Sequence, residues 1–181
     1  MNKASTDIIK ENVRHAPSIT KRRIMVAGIG NTFLQDDGFG TAVISKIKEK
    51  GGANFKNVEI NDAGIGGLKL AYDLMKGYDG LILVDATSRG EEPGTIYVIE
   101  PDEKEIDANL GEGSFIDPHG ADPATVLKFV KALGAWPGKV MIVGCEPFNI
   151  DDFEMGLSGP VKAAVDRAVE IVEEIIETMS K

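Results

Sequence analysis

The chain has 181 residues, a length that suits one domain with a hydrophobic core. Its 43% hydrophobic and 27% charged residues are typical of a globular protein, and its net charge of -9 argues against nucleic-acid binding, because phosphates need basic surfaces. Its single cysteine, Cys145, excludes an intramolecular disulfide, and no apolar run approaches the roughly 20 residues that span a bilayer, so we expect a cytoplasmic protein without membrane insertion.

The first half of the chain predicts alternating strands and helices. Residues 1–20 are polar and show no core periodicity, which predicts a flexible N-terminal extension ahead of a single α/β domain at 21–181. Within that domain, apolar runs that end in turns indicate buried strands, and apolar residues three and four apart indicate helices. The expected elements are a strand at 21–28, a helix at 41–50, a strand at 57–61, a helix at 68–75 and a strand at 80–84.

The second half continues the alternation, with one exception. The segment 94–99 follows a loop too short for a helical crossover, so we expect an edge strand that is antiparallel to the strand before it. A helix capped by Asp122, a strand at 139–144 and a final helix from about residue 158 complete the chain. This order predicts a three-layer sandwich, a twisted and mostly parallel sheet of about five strands with helices on both faces.

A glycine-rich turn, residues 28–40 (GIGNTFLQDDGFG), joins the first strand to the first helix. A dinucleotide-binding turn needs glycine at its sixth position, which here is Phe33, and a phosphate-binding P-loop ends in Gly-Lys-Ser/Thr, which is absent. Asp36 and Asp37 would also repel a phosphate. The turn therefore indicates a site for a cation or an acid-base pair, and no organic cofactor is expected.

Each of the two adjacent aspartates has two interpretations. Asp is favoured at helix starts, so either residue could cap the helix, while the other faces a cleft as a ligand or an acid-base group. If Asp36 only caps the helix, Asp36→Asn is expected to cost about 1 kcal/mol or less.

Two further polar residues are candidates for the same site. Asp85 follows an all-apolar strand, where a carboxylate must be paired, solvated or bound to something, although turn formation is the alternative. His119 precedes the Asp122 helix and is either a polar turn residue or an imidazole ligand, which would complete a mixed nitrogen and oxygen set for a divalent metal. His15 lies in the polar extension and is expected to be solvated. Cys145 is interpreted as a core residue rather than a nucleophile.

Several short motifs, taken in order, resemble those of the nickel-iron hydrogenase maturation proteases. Each motif is weak alone, but their order and spacing are specific and cover nearly everything from Arg23 onward. The motifs are GIGN at 28–31, DDGFG at 36–40, DAGIGG at 62–67, LVDA at 83–86, PGT at 93–95, PH at 118–119, GCEP at 144–147 and GLS at 156–158.

The resemblance implies a specific activity. Members of that family are endopeptidases, grouped with the aspartic-type peptidases, that remove a C-terminal extension from the hydrogenase large subunit after nickel insertion. They are thought to sense the nickel that the precursor carries. By position in the motifs, Asp37, Asp85 and His119 would be the catalytic and metal-contacting residues, and some members carry Glu at the position of Asp37. The expected partner is a nickel-loaded large-subunit precursor.

A hypothesis of a different class also fits these residues. The chain could be a non-catalytic metal- or ligand-binding accessory module of metallocentre assembly. The two hypotheses differ in whether a nickel-loaded precursor is shortened or only bound.

Overall fold

A computed structural model describes residues 22–51, 55–106 and 122–181. In this part of the chain, five strands form one sheet and four α-helices cover it. In chain order the elements are β1 (Ile24–Ile29), α1 (Phe39–Glu49), β2 (Val58–Gly64), α2 (Gly67–Leu74), β3 (Gly80–Ala86), β4 (Ile96–Ile99), α3 (Pro123–Ala132), β5 (Lys139–Cys145) and α4 (Gly159–Met179). The strands lie in the spatial order β2-β1-β3-β5-β4.

The sheet is mostly parallel, as the sequence predicts. β2, β1, β3 and β5 run in one direction, and β4 is an antiparallel edge strand. The predicted direction and edge position of this strand are therefore confirmed, but β4 pairs with β5 and not with β3. Strand order reverses between β1 and β3, and in such sheets ligands bind beyond the carboxyl ends of the strands at this point.

Helices pack on both faces of the sheet and make three layers. Ile24 and Val26 of β1 share one hydrophobic cluster with α1 and α4, whereas Met25 and Ala27 share the other with α2 and α3. Because β1 is buried on both faces, its sequence is continuously apolar rather than alternating.

Two predicted features lie outside the described residues, namely the extension at 1–20 and His119. The domain boundary after residue 20 therefore stays a prediction. The helix after His119 is confirmed: Asp122 is the N-cap of α3, its side chain accepts a hydrogen bond from the Thr125 amide at 3.0 Å, and Pro123 occupies the first turn.

Glycine at position 40 allows α1 to lie directly on the ends of two strands. A Cβ atom at Gly40 would lie 2.3 Å from the carbonyl oxygens of both Ile29 and Val84. Gly28 faces the same helix from the strand side, where a Cβ would lie 2.4 Å from the Gly40 carbonyl oxygen. These glycines therefore serve the close packing of α1 on β1 and β3.

We predict that Gly40→Ala destabilises the fold, because the added methyl group would force α1 away from the strand ends. The expected loss in the free energy of unfolding is about 2 kcal/mol, as for overpacking of a closely packed site. Gly159→Ala is the matched control, since its Cβ would meet nothing within 4 Å. It should change stability by less than about 1 kcal/mol, in the stabilising direction. Urea unfolding measures both, and equal stabilities for the two variants would contradict the packing role of Gly40.

Candidate functional site

Asp85 lies near the carboxyl end of β3, beside the point where strand order reverses. Its side chain is only 5% exposed, although it is an acid. Asp85 pairs with Gly144 of β5, and the preceding residue, Val84, pairs with Gly28 of β1. Each neighbouring strand therefore has a glycine beside this part of β3. Asp85 therefore ends an otherwise apolar strand as a buried carboxyl group.

Asp37 lies in a short 3-10 turn, Gln35–Gly38, between β1 and α1. This turn contacts β3, the strand that carries Asp85. The Asn31 amide donates a hydrogen bond of 2.5 Å to Asp37 Oδ2 and fixes the carboxylate against the start of the turn. Asp37 is half-buried, so this residue keeps some exposure to solvent.

The two carboxyl groups interact electrostatically. Burial raises the pKa of Asp85 well above its ordinary value, and the charge of Asp37 raises it further. Burial also raises the pKa of Asp37, and the hydrogen bond from the Asn31 amide offsets part of that shift. A carboxyl group whose ionisation is opposed by burial and by a neighbouring carboxylate is stabilised by a retained proton or by a nearby cation. The structure thus brings together two of the three predicted site residues.

The third predicted residue, His119, lies outside the described part of the chain. Within residues 22–51, 55–106 and 122–181, no group of three His, Cys, Asp or Glu side chains is arranged to hold a metal. The charge of Asp122 also raises the pKa of Asp85, so the start of α3 lies within electrostatic range of this carboxyl group. The Asp122 carboxylate is itself occupied by the amide and the hydroxyl of Thr125.

Asp36 has a different role from the predicted helix cap, which is a correction to the sequence-based interpretation. Neither the 3-10 turn nor α1 has a side-chain cap hydrogen bond at its start. Asp36 is fully buried and instead accepts hydrogen bonds from residues far along the chain. These donors are the amides of Phe148 at 2.9 Å, Asn149 at 3.2 Å and Ser158 at 2.7 Å, and the Ser158 hydroxyl at 2.8 Å.

The sequence could not show this role, because the donors lie more than a hundred positions away and belong to an irregular loop. The consequence for the site is clear. Because both oxygens of Asp36 accept hydrogen bonds, this carboxylate links the Asp37 turn to the loop before α4. Of the two adjacent aspartates, Asp37 is therefore the one that can serve as a ligand or an acid-base group.

Cys145 is buried in the core cluster under α1 and α4, as the sequence-based interpretation expected. Burial, together with the charges of Asp36 and Glu146, raises the pKa of its thiol to about 12. A thiol with that pKa is not ionised near neutral pH, so Cys145 is unsuited to act as a nucleophile.

Glu146 is a further buried acid near the site, and the sequence-based prediction of site residues did not include it. Its carboxylate accepts hydrogen bonds from the Tyr97 hydroxyl at 2.5 Å and from the amides of Arg89 and Gly90 at 2.8 and 3.1 Å. Burial works against ionisation, but these hydrogen bonds outweigh it and lower the pKa of Glu146. Glu146 thereby ties the loop that follows Asp85 to the end of β5. Its position directly after an apolar strand is the signal that could have identified it.

The fold and site together define a class: a three-layer α/β protein with paired carboxyl groups where strand order reverses. The family model for hydrogenase maturation proteases matches residues 41–175. The chain belongs to this family. None of the helices in the described ranges is long and apolar enough to cross a membrane.

Individual relatives agree with the family assignment. The Methanocaldococcus jannaschii protein MJ0253, which carries the same family name, is 39% identical over 84% of this chain and 95% of its own length. The hydrogenase expression/formation protein HupD of Rhizobium leguminosarum is 31% identical over 86% of this chain and 75% of its own length.

Solved structures give the same result. The hydrogenase maturating endopeptidase HybD of Escherichia coli superimposes with a TM-score of 0.68 at 29% identity, covering 86% of this chain and 93% of that one. The [NiFe] hydrogenase maturation protease HycI of Thermococcus kodakarensis gives 0.61 at 28% identity, covering 88% and 95%.

We predict that Asp36→Asn is more destabilising than Asp37→Asn. The Asn amide group would place a donor among the amides of Phe148, Asn149 and Ser158, so we expect a loss of about 2–3 kcal/mol, the range for hydrogen bonds to a charged group. Asp37→Asn keeps an acceptor for the Asn31 amide and removes repulsion, so its effect should be smaller. Urea unfolding at neutral pH compares the two, and equal or reversed losses would count against the anchor role of Asp36.

We predict that Asp85→Asn becomes more stable, relative to the natural protein, as pH rises. An unfolded Asp titrates near 3.8, and the folded pKa of Asp85 is well above that. The folded state therefore holds this proton more tightly, and stability is lost as pH rises from about 4 through the folded pKa. Asn has no such loss. Urea unfolding with a chelator present, between about pH 5 and pH 8, measures the difference; a constant gap between the two proteins would contradict this prediction.

Proposed function

We propose that this protein is the endopeptidase that removes the C-terminal extension of a nickel-iron hydrogenase large-subunit precursor after nickel insertion. The observation that carries the proposal is the Asp37–Asp85 pair at the point of strand reversal, since the charge of one carboxylate raises the pKa of the other. The two carboxylates would supply some of the oxygen ligands that a metal ion needs. A cation that the substrate carries would reduce the repulsion between the two negative charges.

We infer that His119 adds an imidazole to this pair. Support comes from Asp122, whose charge acts on Asp85 and which follows His119 by three positions. Three residues span at most about 10 Å, so the chain length is compatible with a contact. Asp37, Asp85 and His119 together would offer two oxygens and one nitrogen, a set that suits a borderline divalent metal such as nickel and leaves positions for the ligands of the precursor.

This arrangement would couple cleavage to nickel insertion. A precursor without nickel lacks the contact to the three side chains and loses the binding free energy that the contact supplies. The nickel belongs to the substrate in this proposal, and the protein needs no organic cofactor. A cytoplasmic location, where the precursor would be met, stays a prediction.

The aspartic-type mechanism is also a proposal. The raised pKa of Asp85 suits a general base or acid, because a group that titrates closer to the working pH transfers protons more effectively. A carboxylate could activate the attacking water, or the metal could polarise a group of the substrate. The buried thiol of Cys145 does not compete for the role of nucleophile.

The test is an incubation of the purified protein with nickel-loaded and nickel-free precursor, followed by mass spectrometry of the large subunit. We expect loss of the C-terminal extension from the loaded form only. Binding of the loaded precursor without shortening would instead support the accessory-module hypothesis, and equal cleavage of both forms would refute nickel recognition.

We predict that Asp85→Asn and His119→Ala each abolish processing while the protein stays folded. Asp85→Asn removes a charge but keeps the shape, and His119→Ala removes the imidazole. If both act in one unit, the double variant should be hardly worse than either single variant, because effects within a unit are not additive. Cleavage of nickel-loaded precursor is the assay, with circular dichroism melts as the folding control. Natural activity in either folded variant removes that residue from the mechanism.

We predict that the isolated protein binds divalent nickel weakly and that binding weakens further in acid. His119 must be neutral to act as a ligand, and the raised pKa of Asp85 means that acid protonates this carboxyl group more readily than an ordinary aspartate. Isothermal titration calorimetry between about pH 5.5 and pH 8 measures this, the interval in which an ordinary histidine titrates. Tight binding that is independent of pH would contradict the idea that the substrate brings the metal.

A further inference from the structure

Four large apolar side chains are exposed around the turn that carries Asp37. Phe33 is 50% exposed, Phe148 68%, Phe153 81% and Met155 74%. Phe33 belongs to the glycine-rich turn at 28–40 that contains Asp37, and the other three belong to the loop between β5 and α4. We refer to these four residues as the apolar surface.

Contacts between the turn and the loop hold the apolar surface in one arrangement. The rings of Phe33 and Phe153 stack with centroids 5.8 Å apart and planes 6° from parallel. The backbone amide of Gln35 donates a hydrogen bond to the Glu154 carbonyl oxygen at 2.7 Å, and Leu34 forms an isolated parallel β-bridge with Glu154. Gln35 keeps a left-handed backbone at φ 43°, which is uncommon for a residue with a side chain and needs such support.

Asp36 connects the apolar surface to the acid pair. Its buried carboxylate accepts from the Phe148 and Ser158 amides, and the next residue is Asp37. A partner that covers Phe33 and Phe153 would therefore lie close to Asp37 in the same turn. Because the rings of Phe33 and Phe153 already stack on each other, little of their conformational entropy remains to be lost on binding.

The two segments that form the surface carry only acidic charges. Residues 30–41 and 146–158 contain no lysine or arginine, and Asp151, Asp152 and Glu154 are exposed beside the aromatic rings. Met155 also borders a cavity of about 600 Å³ with Leu157 and Val165, so the surface continues into a depression between α1 and α4.

The lysines of this depression lie on the helices. Lys46 of α1 pairs with Asp166 at 3.3 Å, and Lys162 belongs to α4. These lysines lie outside the turn and the loop, so the two segments around Phe33 and Phe153 keep only acidic charges.

We propose that the apolar surface binds an apolar segment of the hydrogenase large-subunit precursor that also carries lysine or arginine, beside the bond to be cut. The identity of this partner rests on the proposed function. Exposed apolar clusters on soluble proteins mark interaction sites, and here the cluster is continuous with Asp37. The acidic residues favour a basic partner and speed its encounter.

The main test compares cleavage kinetics of nickel-loaded precursor by Phe153→Ser, Phe33→Ser and the double variant. The double variant should raise KM about tenfold, the loss expected when one or two aromatic side chains are no longer buried against the partner, with kcat within about twofold. Tyr72→Ser is the matched control, because Tyr72 is 56% exposed on α2, on the other face of the sheet. It should leave both constants unchanged. Melts by circular dichroism check that all variants stay folded.

The acidic contribution is tested with Asp151→Asn. Its KM should rise about two- to threefold at low salt, and this difference should vanish at high salt, where exposed charges are screened. Glu177→Gln makes the same charge change near the end of α4 and should have no effect.

Binding of the precursor to a catalytically inactive Asp85→Asn background, measured by fluorescence anisotropy, separates this proposal from the proposed function. If the natural protein fails to cut nickel-loaded precursor, the proposed function is wrong. If the natural protein cuts it, and the Phe33/Phe153 double variant has an unchanged KM and unchanged binding, the apolar surface does not bind the precursor. Loss of binding in the double variant alone supports the surface even where cutting is absent. A dimer of the natural protein that the double variant dissociates in sedimentation would identify a second copy as the occupant and contradict the proposal.

Discussion

The organising constraint of this structure is the placement of two carboxyl groups: Asp85 lies near the carboxyl end of β3, and Asp37 lies in the turn that follows the neighbouring strand β1. Burial keeps Asp85 from water and raises the pKa of its carboxyl group, and the charge of Asp37 raises this pKa further. An arrangement of this kind costs stability when both groups ionise, so it is kept at sites that use it. The cost is lowest when a proton or a cation lies between the two groups.

The surrounding structure positions Asp37 and Asp85. Gly28 and Gly40 let α1 begin directly on the ends of β1 and β3, which brings the Asp37 turn against β3. Asp36 and Glu146 use buried carboxylates to fix the loops around the site. Asp36 accepts hydrogen bonds from amides of the loop before α4, and Glu146 accepts them from amides after β3. Of the three buried acids in the described residues, Asp36 and Glu146 each accept several hydrogen bonds, whereas burial and the charge of Asp37 are the main influences on Asp85.

Much of the fold could be predicted from the sequence, because alternating strand and helix patterns, the Asp122–Pro123 cap and the short loop before β4 are local signals. Asp37 and Asp85 could also be placed at one edge, since parallel neighbours end at the same side of a sheet. The separate roles of Asp36 and Asp37 could not be predicted. The donors to Asp36 come from residues 148–158, and only the folded chain brings them together. The contribution of His119 stays a prediction, because it lies outside the described residues.

The most direct measurement of the central claim is the pKa of Asp85, followed by carboxyl carbon shifts in NMR on metal-free protein with labelled aspartate. We expect a value well above the ordinary 3.8, because of burial first and the charge of Asp37 second. We also expect Asp37→Asn to lower the pKa of Asp85 without returning it to 3.8, since burial remains. A pKa of Asp85 near 3.8 in the natural protein, or one that Asp37→Asn leaves unchanged, would contradict the coupling of the two carboxyl groups.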